Sequence, residues 1–223
     1  MRIHPCEKSF GGRVALRVPA LTLEPGQIYA VAGPNGSGKS TFARLVSGAL
    51  RPDGGGRVLE EAVRARYMPQ RSCAFRMSVR SNLLLSGGDR ARADRLMAAL
   101  GLDLLACRRA GGLSGGETAK MALARVLMAP CDLLILDEPT APMDMESAIV
   151  AEKLVAAYRR ESGCAVLLIT HDLQQARRTA DQALFFHGGE LREAGTAEKV
   201  LRHPDRPETR RFLEFYGGLP ADH

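Results

Sequence analysis

Residues 33–41 read Gly-Pro-Asn-Gly-Ser-Gly-Lys-Ser-Thr and follow directly on the apolar run Ile28-Tyr29-Ala30-Val31-Ala32. The pattern is Gly-x-x-x-x-Gly-Lys-[Ser/Thr], the spacing of a phosphate-binding loop between a strand and a helix. A polyphosphate is approached closely by backbone N–H groups, so Gly33, Gly36 and Gly38 suit the loop. Without Cβ they allow positive φ and a tight anion-binding nest. Pro34, Asn35, Ser37 and Thr41 belong to the same nucleotide-binding segment. The residues from Ser40 to Val46 read as a helix whose N-terminal partial positive charge points at the phosphates. Lys39 adds a full charge for the β and γ phosphates, and the Ser40 hydroxyl is a magnesium ligand. Taken alone, these residues also allow a plainer reading, a glycine-rich turn with an incidental lysine.

Two apolar runs end in groups that could act on such a ligand. Leu133-Leu134-Ile135-Leu136 leads into Asp137-Glu138, and Ala165-Val166-Leu167-Leu168-Ile169-Thr170 leads into His171-Asp172. Continuous apolar runs of this length suit strands buried on both faces of a parallel sheet. The carboxyl ends of such strands are where ligands sit. A solvated acid pair and an ordinary exposed histidine are the alternatives at this point. A third block, Leu113-Ser114-Gly115-Gly116-Glu117, opens the periodic stretch Met121, Leu123, Ala124, Leu127, Met128. Ser114 and Glu117 make a capping box, which by itself accounts for both residues.

These blocks in this order resemble the ATP-binding cassette (ABC) ATPases, and the resemblance runs from about Phe10 to about Val200. It implies an α/β phosphate-loop NTPase fold: a RecA-like core with a parallel sheet, an N-terminal antiparallel β subdomain and an inserted helical subdomain. Residues 1–223 form one domain in this reading, with the core at about 1–70 and 119–223 and the helical subdomain at about 71–118. By resemblance, Asp137 holds magnesium through water and Glu138 is the general base that polarises the attacking water. His171 matches the switch histidine, which contacts the γ-phosphate. Gln70, in Tyr67-Met68-Pro69-Gln70, matches the glutamine loop, which senses magnesium or the attacking water. Ser114, Gly115, Gly116 and Glu117 match the signature, and Asp144 in Ala141-Pro142-Met143-Asp144 matches the loop that runs between subunits. Phe10 lies where the family commonly stacks an aromatic ring on adenine; a place in the core is its other reading. Two departures stand out. Ala141 replaces a serine able to bond across a dimer, and Glu117 replaces the commoner glutamine, bringing a carboxylate near a phosphate-facing helix end.

The resemblance implies an ATPase that binds ATP and Mg2+ as the nucleotide-binding subunit of a transporter. It dimerises head to tail, each ATP lying between Lys39 of one copy and Ser114 of the other. Separate transmembrane permease subunits and an extracytoplasmic substrate-binding protein are the expected partners, and the inner face of the cell membrane is the expected place, reached from the cytoplasm. The general look is that of small-solute import, of an oxyanion such as tungstate or of an amino acid. An exporter or lipid-extraction ATPase is one alternative, and a non-transport ABC ATPase in DNA repair or translation is another.

Composition agrees with one compact ATPase. With 223 residues, 45% of them hydrophobic, the chain can bury a full core. No apolar run approaches the roughly 20 residues that cross a bilayer, and the N-terminus has no secretory pattern. The five cysteines are scattered without Cys-x-x-Cys spacing and read as reduced residues. A net charge of +6 is spread along the chain, mostly as arginine, with no basic tail or aromatic-interleaved segment to mark a specific nucleic-acid site.

The elements that must position these groups are also legible. Short strands fill residues 1–32, with Pro25-Gly26 as a turn. A hairpin-like excursion comes after Arg51. Ala91 to Leu100 is an amphipathic helix with Leu96, Met97 and Leu100 on one side. Helices are expected over about Glu146 to Glu161 and Gln174 to Ala180, and Gly188-Gly189 turns a hairpin. Thr196 caps a helix through Leu201, and Pro204 and Pro207 break the chain beyond it.

Overall fold

The computed structural model describes residues 1–217. The N-terminal part contributes strands β1 (Arg2–Ile3), β2 (Cys6–Phe10), β3 (Arg13–Val18), β4 (Leu21–Thr22) and β5 (Ile28–Ala32), then helix α1 (Lys39–Val46) and strand β6 (Ala65–Met68). Helices α2 (Val79–Leu84), α3 (Arg90–Ala99) and α4 (Gly115–Val126) precede strand β7 (Leu133–Asp137). The remainder is α5 (Met145–Ser162), β8 (Ala165–Ile169), α6 (Leu173–Thr179), β9 (Gln182–His187), β10 (Glu190–Thr196), α7 (Ala197–Arg202) and α8 (Pro207–Gly217).

Eight strands form one sheet in the order β2-β3-β10-β9-β5-β8-β7-β6. The segment β9-β5-β8-β7-β6 is parallel throughout. Strands β5, β7 and β8 are buried at every position, and the side chains of β7 and β8 alternate between two cores. Leu134, Leu136, Val166 and Leu168 face the one shared with α2, α3 and α4. Leu133, Ile135, Leu167 and Ile169 face the one shared with α1 and the N-terminal strands. Covering on both faces is why these strands read as unbroken apolar runs.

The antiparallel N-terminal portion takes the expected form, β2 pairing with β3. It reaches the parallel strands through β10, which pairs parallel to β3 at Glu190–Arg17 and antiparallel to β9. The β9–β10 turn at Gly188-Gly189 is also as expected. Gly189 has φ 81°, and a Cβ there would lie 2.8 Å from the Ala15 carbonyl oxygen, so the hairpin can press against β3 only as glycine.

Between β6 and β7 the chain is helical. Helix α3 buries Ala93, Leu96 and Met97, with Asp89 capping its start through Arg92 N–H. Helix α2 is too short to announce itself by period. Its Asn82, fully buried, accepts from Phe75 N–H at 2.9 Å and donates to the Ser78 carbonyl at 3.0 Å, which seals the turn ahead of the helix.

Two expectations are corrected. Pro207 opens α8 instead of breaking the chain; a first helical residue needs no amide partner, and proline presets its φ. After Arg51 there is no hairpin: residues 51–64 run through turns, with Leu59 in an isolated bridge to Ile3 and the Asp53 amide donating to the Glu7 carbonyl of β2 at 3.0 Å. Among the described residues, no helix is long and apolar enough to cross a membrane.

Helix α1 is anchored by Phe42, which is fully buried with its ring 5.1 Å from that of Phe186 on β9. Truncating a buried phenylalanine loses transfer energy and leaves a cavity, so Phe42→Ala should lower stability by about 3–5 kcal/mol. Urea unfolding checks this, and a loss below about 1 kcal/mol would show that α1 repacks freely.

Candidate active site

Strand β5 carries the chain to the edge of the sheet, where residues 33–38 turn back into α1. Gly33, Gly36 and Gly38 have φ of 142°, 77° and 101°. A Cβ on Gly33 would lie 2.1 Å from the Phe186 carbonyl oxygen, so the loop backbone is pressed against β9 as closely as glycine permits. Gly38 is the N-cap of α1 and offers no side-chain cap. The first-turn amides of the helix are therefore open to an anion. Ser37 Oγ, buried in the same loop, has no hydrogen-bond partner. Both features fit a polyphosphate. Pro34, Asn35 and Thr41 complete the segment, Thr41 in the first turn of α1.

Lys39 is 8% exposed, and its Nζ donates to the carbonyls of Gly33 at 2.7 Å and Pro34 at 2.9 Å. The ammonium thus sits within the loop that it is meant to serve. Burial pushes its pKa below the usual lysine range, while the Glu138 and Asp137 carboxylates oppose that shift. Ser40 follows and donates to Asp137 Oδ1 at 3.3 Å. On the other side, Tyr67 donates its hydroxyl to Asp137 Oδ2, also at 3.3 Å. Burial raises the Asp137 carboxyl above its ordinary range, and these two donors pull it back. A hydroxyl and a carboxylate side by side are hard oxygen donors of the kind that hold magnesium while leaving most of its shell to water and phosphate. The residues fit that ion.

Glu138 is, among the described residues, the only non-glycine with positive φ, at 53°. Such a conformation costs on the order of 1–3 kcal/mol and persists only where the surroundings over-determine it. Here the Glu138 amide donates to the Ile169 carbonyl at 2.9 Å, extending the β7–β8 ladder by one bond past the strand end. The side chain turns inward, one-tenth exposed, and its Oε2 meets His171 Nδ1 at 2.7 Å. Burial raises its carboxyl above the usual range, with His171 acting against that. His171 itself is 70% exposed. Asp172 caps α6 by accepting from the amides of Gln174 and Gln175, which fixes the turn that carries the histidine.

The other sequence-derived residues lie farther out. Gln70 is exposed two residues past β6, whose last residue, Met68, pairs with Leu136, so it leaves the sheet beside Asp137. Phe10 ends edge strand β2 half exposed, with Lys8 Nζ 5.7 Å from its ring centroid, and so is no core residue. Ser114 and Glu117 form the full capping box of α4: Ser114 Oγ accepts from Glu117 N–H at 3.2 Å and Glu117 Oε2 from Ser114 N–H at 2.7 Å. That amide holds the exposed Glu117 carboxyl below its ordinary range. Gly115 and Gly116 form the first turn, and a Cβ on Gly116 would lie 3.0 Å from the Pro142 carbonyl oxygen. Asp144 caps α5 through the amide and hydroxyl of Ser147. Among the described residues, no hydrogen bond or ion pair joins residues 114–117 to residues 33–41.

Sequence reasoning did not single out Tyr67, which lies three residues ahead of Gln70. Its relation to Asp137 depends on β6 lying beside β7, a pairing that no local signal announces.

The chain matches the ABC transporter family model over residues 16–141. It is similar to the zinc import ATP-binding protein ZnuC of Chelativorans sp. (strain BNC1), at 36% identity over 215 residues, 95% of this chain and 74% of that protein. It is also similar to the tungstate uptake system ATP-binding protein TupC of Peptoclostridium acidaminophilum, at 38% identity over 202 residues, 84% of this chain and 94% of that one. Among solved structures, the ATP-binding cassette MJ0796, captured as a dimer in a post-hydrolysis state bound to ADP and Pi, has the same fold. Its TM-score is 0.76 at 21% identity, over 88% of this chain and 99% of that one. With a family match over more than half of its length and a curated relative aligned over nearly all of it, the chain belongs to the ABC transporter family, among the ATPase subunits.

Proposed function

We propose that this ATPase binds Mg-ATP on residues 33–41, hydrolyses it with Glu138 as general base, and thereby powers import of a small solute through separate permease subunits. The observation that carries the reading is the 2.7 Å contact between Glu138 and His171, on the strand next to Asp137 and its neighbour Ser40. The loop amides and the open start of α1 take the phosphates, with Lys39 supplying the positive charge and Phe10 a face for adenine. Ser40 and Asp137, with Gln70 alongside, would hold magnesium, which would supply neutralising charge to the phosphates. His171 occupies Oε2 of Glu138, which leaves Oε1 to accept a proton from the attacking water while the histidine orients the γ-phosphate.

Half of the nucleotide's surroundings come from a second copy in this reading. Ser114, Gly115, Gly116 and Glu117 of one chain close on the ATP bound by the other, and Asp144 lies where the two chains meet. The dimeric state of MJ0796 supports this arrangement. Residues 1–70 and 119–223, of which those after 217 lie outside the described residues, form the ATPase core and residues 71–118 a helical subdomain that meets the permease; α4 runs through the second boundary. The names of ZnuC and TupC support an inorganic ion over an amino acid as solute, with tungstate as the finer reading, and a substrate-binding protein outside the membrane would complete the system.

Replacing Glu138 by glutamine keeps the shape and removes the base, so turnover should fall by about 10²-fold or more while ATP affinity is retained. Near-normal hydrolysis by Glu138→Gln would remove Glu138 from this role. Lys39→Ala deletes the buried ammonium and should weaken Mg-ATP binding by about 10- to 100-fold, since a charge-assisted contact contributes roughly 1.5–3 kcal/mol. Equilibrium nucleotide titration gives the answer, and unchanged affinity would contradict the phosphate-loop assignment.

A further inference from the structure

Glu138 sits in a conformation that its own residue type resists, so something must fix the segment after it. Packing does not do this on one side: residues 138–141 border a groove of about 980 Å³ that also reaches α5 and α6. On that wall lies Gln175, only 2% exposed, on the helix that begins just after His171. Its Nε2 donates to Thr140 Oγ1 and to Glu152 Oε1, each at 3.0 Å. Glu152, on α5, is fixed in turn by Arg178, which contacts Oε1 at 2.7 Å and Oε2 at 3.0 Å. One buried amide therefore joins the loop after the base, the helix that follows the histidine and the helix entered through Asp144.

We infer that Gln175 is a positioning residue for hydrolysis, holding Glu138 and His171 in register by clamping Thr140 to α6. The inference rests on the reading of Glu138 as general base. The amide donates both hydrogens, one to each partner, and its Oε1 has no partner. The Thr140–Gln175 bond joins two neutral groups, and the groove beside it leaves room for the 138–141 segment to move once that bond is cut. Loss of Gln175 should therefore displace the base without disturbing the phosphate loop, which lies on another strand. The effect belongs in kcat and not in KM, because misplacing a reacting group by a fraction of an ångström slows chemistry while ground-state binding is kept.

The test is steady-state ATP hydrolysis and equilibrium ATP binding by the full chain carrying Gln175→Leu, Thr140→Val, or both, with Glu138→Gln alongside. Each single change should lower kcat by about tenfold, leave KM and ATP affinity within about twofold, and add little in the double variant, because both cut the Thr140–Gln175 bond. A kcat within about twofold of the unaltered chain, a loss appearing in KM, or losses that multiply in the double variant would each overturn the inference. Should Gln175→Leu fail to fold, Thr140→Val removes the acceptor while keeping the side-chain shape and decides the question by the same criteria. Retained turnover in Glu138→Gln would instead bring down the underlying reading and this inference with it. Severe loss in Glu138→Gln beside normal kcat in the clamp variants overturns the inference alone.

Discussion

The parallel hydrogen-bond register of β5, β8 and β7 is the constraint on which the rest of the molecule depends. Val31 lies beside Ile169, and Ile169 beside Asp137, so the three strands end within one residue of the same level. Each then releases its chain at the same edge: the phosphate loop from β5, Glu138 from β7 and His171 from β8. The strands cannot slip past one another, because their side chains alternate between the filled cores on the two faces of the sheet and a shift of one residue would exchange every contact. Accuracy at the edge is thus set by apolar packing beneath it, including α1, which Phe42 fixes against β9.

That edge gathers groups which a dry core disfavours. Asp137, Glu138 and Lys39 are all buried, and burial shifts each away from its charged form while the opposite charges nearby oppose the shift. A site of this kind is completed by its ligand. A bound cation relieves the carboxylates, and a polyphosphate answers the uncapped helix start and the partnerless Ser37 hydroxyl. The positive φ of Glu138 belongs to the same pattern, a local strain fixed from outside by the Ile169 carbonyl and by the Thr140–Gln175 bond.

What was legible in the sequence had a local cause. The phosphate loop shows because glycine spacing is dictated by backbone approach, β7 and β8 show because burial on both faces removes polar residues, and the box at Ser114 and Glu117 shows because a helix start satisfies its own amides. The site's supporting groups have no such signature. Tyr67 reaches Asp137 only because β6 pairs with β7, and Gln175 reaches Thr140 only because α6 and α5 share one side of the sheet. A buried glutamine looks in sequence like any exposed one. Pro207 misled for a related reason, since its effect depends on whether the chain is continuing a helix or starting one.

In the proposed function the start of α4 serves a second copy. Its Gly116 packs against the Pro142 carbonyl, so the signature turn and the loop leading to Asp144 form one surface, and no bond links that surface to the chain's own phosphate loop among the described residues. In this account the ATP bound at one edge is the ligand of the other chain's α4. The most direct measurement is the mass in solution of the Glu138→Gln protein by light scattering, first with ADP and then with saturating Mg-ATP. One chain's mass is expected with ADP and twice that mass with Mg-ATP. A single-chain mass with ATP demonstrably bound would contradict it.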